Sequence, residues 1–140
     1  MAKKPTNIAM QNKVAEKLQE LVRLKYADRN GYVKCVTCGH TGYWEKDGMQ
    51  GGHFIERGKL RLVESNIHVQ CQGCNGFKMK HSVACVLDYE DYMNDTYGRD
   101  FVQDLRRQAN QPQKYSMADL RDMLKDLKDR IKTMREEKGL

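Results

Sequence analysis

The N-terminal part of the chain has apolar residues at helical spacing. After Pro5 this spacing predicts a helix with Thr6 or Asn7 as its N-cap and an end at Asn30-Gly31. One face of this helix carries Val14, Leu18, Leu21, Val22 and Lys25. A helix with one apolar face needs a partner, so we expect it to pack on the rest of the chain.

The C-terminal segment predicts a second amphipathic helix. Ser116 and Asp119 have the spacing of a capping box. A seam of apolar residues follows at alternating steps of three and four: Met117, Leu120, Leu124, Leu127, Ile131 and Met134. The seam either packs on its own domain or pairs two chains as a homodimer, and the sequence leaves both alternatives open.

The middle of the chain differs from both ends in composition. From Tyr32 to about residue 70, short runs rich in aromatic and β-branched residues and broken by glycines predict a small β-hairpin region. A helix is expected to begin near Asn75, and two more follow with a break near Gly98. Their apolar positions are Val83, Val86, Leu87, Tyr92, Phe101 and Leu105. We therefore predict an α+β fold with an N-terminal helix and arm at 1–31, a central domain at 32–110 and a C-terminal helix at 111–140.

Four cysteines stand in two Cys-x-x-Cys units, Cys35 with Cys38 and Cys71 with Cys74. Each unit can place two thiolates on one edge of a metal ion, and two edges complete a closed tetrahedral zinc site. Two disulfides are the alternative, but no apolar secretory segment follows the basic residues of the start "MAKKPTNIAMQNK". The spacing predicts a structural zinc ion that stabilises a small core.

Charge and hydropathy indicate which kinds of molecule the protein binds. The chain has 25 Lys and Arg against 19 Asp and Glu, a net charge of +6, which favours a polyanion such as nucleic acid or serves solubility alone. No run approaches the roughly 18 apolar residues needed to cross a bilayer. We expect a cytoplasmic protein with no membrane partner, located in the bacterial cytoplasm if a phage encodes it.

Four further polar residues lie within or beside the cysteine spacing: His53, Asn66, His68 and Asn75. A closed tetrathiolate site needs none of them. They fit a ββα-metal arrangement, in which His53 ends one strand of a hairpin, Asn66 starts the returning segment and Asn75 opens the next helix. A divalent ion would then bind between strand and helix.

The ordered motifs "CVTCG", "QGGHF", "RLVESNIHVQC" and "CQGCN" resemble the HNH endonuclease superfamily. Within it they resemble the bacteriophage lambda NinG (Rap) recombination family, over roughly residues 32–105. The resemblance implies a zinc-stapled HNH, or His-Me finger, core between terminal helices. It also implies a metal-dependent DNA endonuclease that acts on branched recombination intermediates such as Holliday junctions or D-loop-like DNA.

The resemblance also implies roles for single residues. His53 matches the general base, Asn66 the residue that orients it and Asn75 a ligand of a catalytic Mg²⁺ or Mn²⁺ ion. His68 matches the histidine of the NinG-type motif and is the second expected ligand. Many HNH sites have an acidic metal ligand directly before the base, where this chain has Gly52, so His68 or Gln50 would have to compensate.

Cationic side chains surround these positions and predict contacts with the DNA backbone. They are Arg57, Lys59, Arg61, Lys78 and Lys80, and they outnumber Glu56 and Glu64. Two other functions remain open: a non-catalytic zinc module that binds DNA or a protein partner, and a nonspecific nickase of duplex DNA.

Overall fold

A computed structural model describes residues 4–56 and 60–140 of the chain. Arg57 and Lys59, two of the predicted DNA-binding residues, lie outside the described residues. The helices are α1 (Asn7–Tyr26), α2 (Met79–His81), α3 (Val83–Tyr97), α4 (Arg99–Ala109) and α5 (Met117–Lys138). The strands are β1 (Tyr32–Lys34), β2 (Thr41–Tyr43), β3 (Met49–His53) and β4 (Ile67–Cys71). A 3₁₀ turn at Glu64–Asn66 precedes β4, and a π-helical turn at Cys74–Lys78 leads into α2.

The strands form two separate antiparallel hairpins, β1 with β2 and β3 with β4. In the second hairpin Gly52 lies opposite His68 and His53 lies opposite Ile67. The backbone N–H of Val36 donates to the carbonyl oxygen of Val69 at 2.9 Å, which joins the first hairpin to the edge of β4. The predicted mixture of helices and small sheets is confirmed, and the second hairpin is followed directly by a helical segment.

Helix α1 begins where the sequence predicts and ends earlier. The Thr6 hydroxyl oxygen accepts a hydrogen bond from the Ala9 N–H at 3.1 Å, so Thr6 is the N-cap. The helix ends at Tyr26 because Ala27 is extended, and a turn then places Gly31 at a φ of 86°. The apolar face is buried as expected, but Lys25 is not part of it, since its ammonium group reaches Glu64 at the surface.

Helix α5 packs along α1 within the same chain. The predicted capping box is confirmed: the Ser116 hydroxyl accepts from the Asp119 N–H, and the Asp119 carboxylate accepts from the Ser116 N–H. Leu120, Leu127 and Ile131 are buried, and the remaining seam residues pack against the same core. The alternative of own-domain packing is therefore the one seen, and pairing of two chains through this helix stays a prediction.

Helices α3 and α4 are separated at Gly98, as predicted, where φ is 89°. The predicted apolar face of α3 is wrong: Val83 is 75% and Leu87 52% exposed. The buried residues are instead Cys85, Tyr89 and Met93, which recur every four positions. A search for apolar residues alone misses this buried stripe, because one of its members is a tyrosine with a polar hydroxyl.

Among the residues that the structure describes, we find no helix that combines the length and the apolar character needed to span a bilayer.

Candidate functional site

The four cysteines of the two Cys-x-x-Cys units converge. Their sulfur atoms all lie within 4.8 Å of one another, and those of Cys38 and Cys71 are 3.6 Å apart. Zinc–sulfur bonds of about 2.3 Å at tetrahedral angles place neighbouring sulfurs about 3.8 Å apart, so this spacing suits a zinc ion. The cysteines form no disulfide in the part of the chain described. The predicted set of structural zinc ligands is therefore brought together as a cluster that could hold a metal.

The crowding of the thiols has an electrostatic consequence. Burial raises the pKa of the Cys35 thiol, but hydrogen bonds from the Thr37 hydroxyl and nearby backbone N–H groups outweigh it and give a pKa of about 6. Burial raises the pKa of the Cys74 thiol instead. One thiolate therefore opposes ionisation of its neighbours, and a divalent cation would supply the charge that lets all four ionise.

His53 stands at the end of β3 with its side chain partly buried. Its Nε2 lies 3.0 Å from the backbone carbonyl oxygen of Arg61. A carbonyl can only accept, so Nε2 carries the proton and the lone pair lies on Nδ1. The group that holds the imidazole is therefore a backbone carbonyl from the segment between β3 and β4.

Asn66 is fully buried and holds that loop. Its Oδ1 accepts from the Ile55 N–H at 2.8 Å, and its Nδ2 donates to the carbonyl oxygens of Ile55 at 2.9 Å and Leu60 at 3.3 Å. These bonds hold the backbone at Ile55, two residues after His53, and at Leu60, directly before Arg61. Asn66 therefore acts on the imidazole indirectly. It holds Leu60, and the next residue, Arg61, contacts His53 through its carbonyl oxygen.

Asn75 lies in the π-helical turn directly after Cys74. Its Nδ2 donates to Oε1 of Gln50 at 2.8 Å, which leaves its own Oδ1 free of that bond. Gln50 precedes His53 by three residues on β3, about 10 Å along an extended strand. The zinc cluster and the candidate hairpin site thus share the turn that carries Cys74 and Asn75.

Gln70 is a residue that the sequence reasoning missed. The register places it on the same face as Gly52 and His68, and its Oε1 lies 1.9 Å from the position that a Cβ on Gly52 would occupy. Its Nε2 donates to the Thr37 hydroxyl at 3.2 Å, whereas the buried Oε1 has no hydrogen-bond partner in the described residues. The alternation along β4 was the available signal, because it puts Gln70 two positions after His68.

His68 lies in a different environment from His53. It is buried against the tyrosine rings of α3 and Tyr26, with Nδ1 3.3 Å from the Tyr89 hydroxyl and Nε2 2.8 Å from the Tyr97 hydroxyl. The Tyr89 hydroxyl donates its proton to the Gly52 carbonyl oxygen at 2.7 Å, so it accepts from Nδ1, and Tyr97 then donates to Nε2. Binding of a cation to His68 would require one of these bonds to break.

The remaining predicted DNA-binding residues lie at the surface around the hairpin. The Arg61 guanidinium donates to Oδ1 of Asn12 on α1, and Lys78 and Lys80 are exposed on the π-helical turn and α2. Glu64 is paired with Lys25 at 3.5 Å and Arg130 at 2.8 Å, so its charge is compensated.

Comparison with known proteins identifies the family. Neither the curated proteins nor the solved structures compared with this chain give a match. A family model described as Bacteriophage Lambda NinG protein matches residues 2–137, nearly the whole chain. The chain belongs to the bacteriophage lambda NinG family.

Proposed function

We propose that this protein is an HNH-type endodeoxyribonuclease that uses a divalent metal ion to hydrolyse phosphodiester bonds in branched DNA. Membership of the NinG family implies a phage recombination-related protein. As its substrates we propose two intermediates of recombination, Holliday junctions or D-loop-like DNA. The observation that carries the proposal is His53, whose imidazole is held in one tautomer at the end of a short hairpin.

The tautomer of His53 suits a general base. Hydrolysis needs a water molecule that loses a proton as it attacks the phosphorus, and Nδ1 has the lone pair to take that proton. The Arg61 carbonyl oxygen then stabilises the imidazolium through Nε2–H, at the 3.0 Å distance present in the neutral state. Asn66 keeps the carbonyl in place by fixing the loop at Ile55 and Leu60.

The ligands that we propose for a hard divalent cation are two side-chain amide oxygens. Oδ1 of Asn75 and Oε1 of Gln70 are amide oxygens, a ligand type that suits Mg²⁺ and Mn²⁺, and Oε1 of Gln70 has no hydrogen-bond partner among the described residues. When bound, the ion would neutralise charge on the phosphate and the leaving oxygen. We leave His68 out of the ligand set, because tyrosine hydroxyls occupy both its ring nitrogens.

The neutral donor set has a consequence for affinity. Gly52 provides no carboxylate, and the two proposed ligands, Asn75 and Gln70, are neutral amides. The phosphate of the DNA supplies that charge, and we expect the ion to bind weakly until DNA is present. Arg61, Lys78 and Lys80 would contact neighbouring phosphates.

The test is cleavage of a labelled four-way junction in Mn²⁺ or Mg²⁺. His53→Ala should lower the cleavage rate by about 100-fold or more while zinc content, thermal unfolding and junction affinity stay unchanged. His40→Ala is the matched control, because His40 is exposed and the hydrogen bonds described between it and the cysteines come from its backbone, which the substitution keeps. Wild-type cleavage by His53→Ala would overturn the assignment of the base.

The same assay separates the two alternative functions. Junction binding without cleavage in either metal would support a non-catalytic zinc module that binds DNA or a protein partner. Equal cleavage of junction, flap and linear duplex would support a nonspecific nickase.

A further inference from the structure

Two cavities flank the exposed ring of Tyr26 at the end of α1, and we call them the aromatic clefts. The first has a volume of about 370 Å³ and is lined by Tyr26, Tyr92 and Lys34, among others. The second has a volume of about 420 Å³ and is lined by Tyr26, Tyr97, Phe101, Lys25 and Ser65, among others. Tyr26 is 39% exposed and contributes to the lining of both cavities.

The aromatic walls are held in place before any ligand binds. Tyr97 stacks on Phe101 with ring centres 4.6 Å apart and an interplanar angle of 19°. The Tyr97 hydroxyl is fixed by its 2.8 Å bond to buried His68, which also packs against Tyr92 at a centroid distance of 5.2 Å. Rings that are already ordered lose little conformational entropy when a flat ligand stacks on them.

The charges at the mouths of the clefts favour an anionic ligand at the first and a neutral one in the second. Lys34 lines the first cleft and is exposed, and the Lys25 ammonium lies 5.4 Å from the centre of the Tyr26 ring. In the second cleft Glu64 is paired with Lys25 and Arg130, and Arg130 also lies 3.7 Å from Asp126. Aromatic rings interleaved with lysines are the pattern of surfaces that bind single-stranded nucleic acid.

The second cleft lies beside the candidate catalytic hairpin. Ile67 contributes to its lining and is the direct cross-strand partner of His53. Directly opposed residues of an antiparallel pair have Cα atoms about 5 Å apart. A residue that lines the second cleft is therefore next to the proposed base.

We propose that the aromatic clefts bind unpaired nucleotides of DNA, with a base stacked against Tyr26 and the backbone held near Lys34 at the first cleft. This inference rests on DNA being the substrate, as proposed above, and names the part of a branched molecule that the protein contacts outside the catalytic hairpin. A D-loop carries a displaced single strand with unpaired bases, whereas linear duplex does not.

The experiment measures binding without cleavage, in buffer without added divalent metal. A single-stranded oligonucleotide containing 2-aminopurine reports stacking by a change of fluorescence, and a linear duplex serves as the second ligand. Tyr26→Ala should weaken binding of the single strand by about tenfold and leave duplex binding unchanged. Tyr26→Phe should bind as wild type, because the ring is retained.

Tyr32→Ala is the matched control, since Tyr32 is 51% exposed but packs against Tyr43 on the other hairpin. If Tyr26→Ala proves unfolded, Phe101→Ala tests the second cleft, because Phe101 is 38% exposed and should show the same selective loss. Unchanged single-strand binding by the folded variant, or an equal loss in Tyr32→Ala, would overturn the proposal. Because no cleavage is measured, a failure of the nuclease assay and a failure here are separate results.

Discussion

Oε1 of Gln70 occupies the space that a side chain on Gly52 would need, 1.9 Å from the position of its Cβ. Gln70 is fully buried, and its Nε2 is bonded to Thr37 in the first cysteine turn, so the amide has little room to withdraw. An acidic residue before His53 and a glutamine at position 70 therefore exclude each other. This gives a physical reason why position 52 is a glycine.

This exclusion predicts compensation between the two positions. Gly52→Ala should lower the free energy of unfolding by about 1–3 kcal/mol, because the methyl group must displace the Gln70 amide. In the Gln70→Ala background the same Gly52→Ala change should cost much less, since the smaller side chain leaves room for the methyl group. Urea unfolding of the wild type, both single variants and the double variant measures the coupling. Strictly additive effects would contradict the predicted contact.

Asn66 offers a second test, through a change that keeps its shape. Asn66→Asp retains the oxygen that accepts from the Ile55 N–H but places the other oxygen against the carbonyls of Ile55 and Leu60. We expect a loss of about 2–4 kcal/mol in the free energy of unfolding, because buried hydrogen bonds are lost and oxygen atoms face each other. Asn110→Asp, at an exposed position after α4, is the control and should change stability by less than about 0.5 kcal/mol. Equal stability of the two variants would show that Asn66 does not hold the loop.

The cysteine cluster predicts one tightly bound zinc ion per chain. Cys38→Ser should lower zinc content and thermal stability together, because a hydroxyl replaces one of the four thiolates. Cys85→Ala should keep wild-type zinc content, since Cys85 is buried among the residues of α3 and is not part of the cluster. Metal analysis and thermal unfolding of both variants give the answer. Full zinc occupancy in Cys38→Ser would show that this thiol is not a ligand.

The sequence predicts the features that depend on spacing along the chain and misses those that depend on contacts across it. The caps at Thr6 and Ser116 and the grouping of the cysteines follow from local hydrogen bonds and ligand chemistry, and the structure has them. The contacts of His68 and Gln70 depend on which side of β4 packs against α3. The local sequence does not determine which side that is. The buried stripe of α3 was missed for a related reason, because Tyr89 supplies both its apolar ring and the hydroxyl that reaches Gly52.

His68 makes stability depend on pH in a defined window. Burial, followed by the nearby Lys25 ammonium, lowers the pKa of His68 from the ordinary value of 6.5 to about 4. Above pH 6.5 the imidazole is neutral in both the folded and the unfolded chain, so its contribution to stability is complete. As the pH falls from 6.5 towards 4, the unfolded chain takes up a proton that the folded chain does not, and stability declines.

The effect of His68 can be isolated with a glutamine at the same position. Between pH 7 and pH 5 the wild type should lose about 2 kcal/mol more in the free energy of unfolding than His68→Gln does. Thiolates and carboxylates add their own pH dependence to both proteins, so the difference between the two curves reports His68 alone. Urea unfolding in saturating zinc at each pH provides the measurement. Parallel curves would mean that the folded protein protonates His68 as readily as the unfolded chain does, and the buried tyrosine environment described above would then be incorrect.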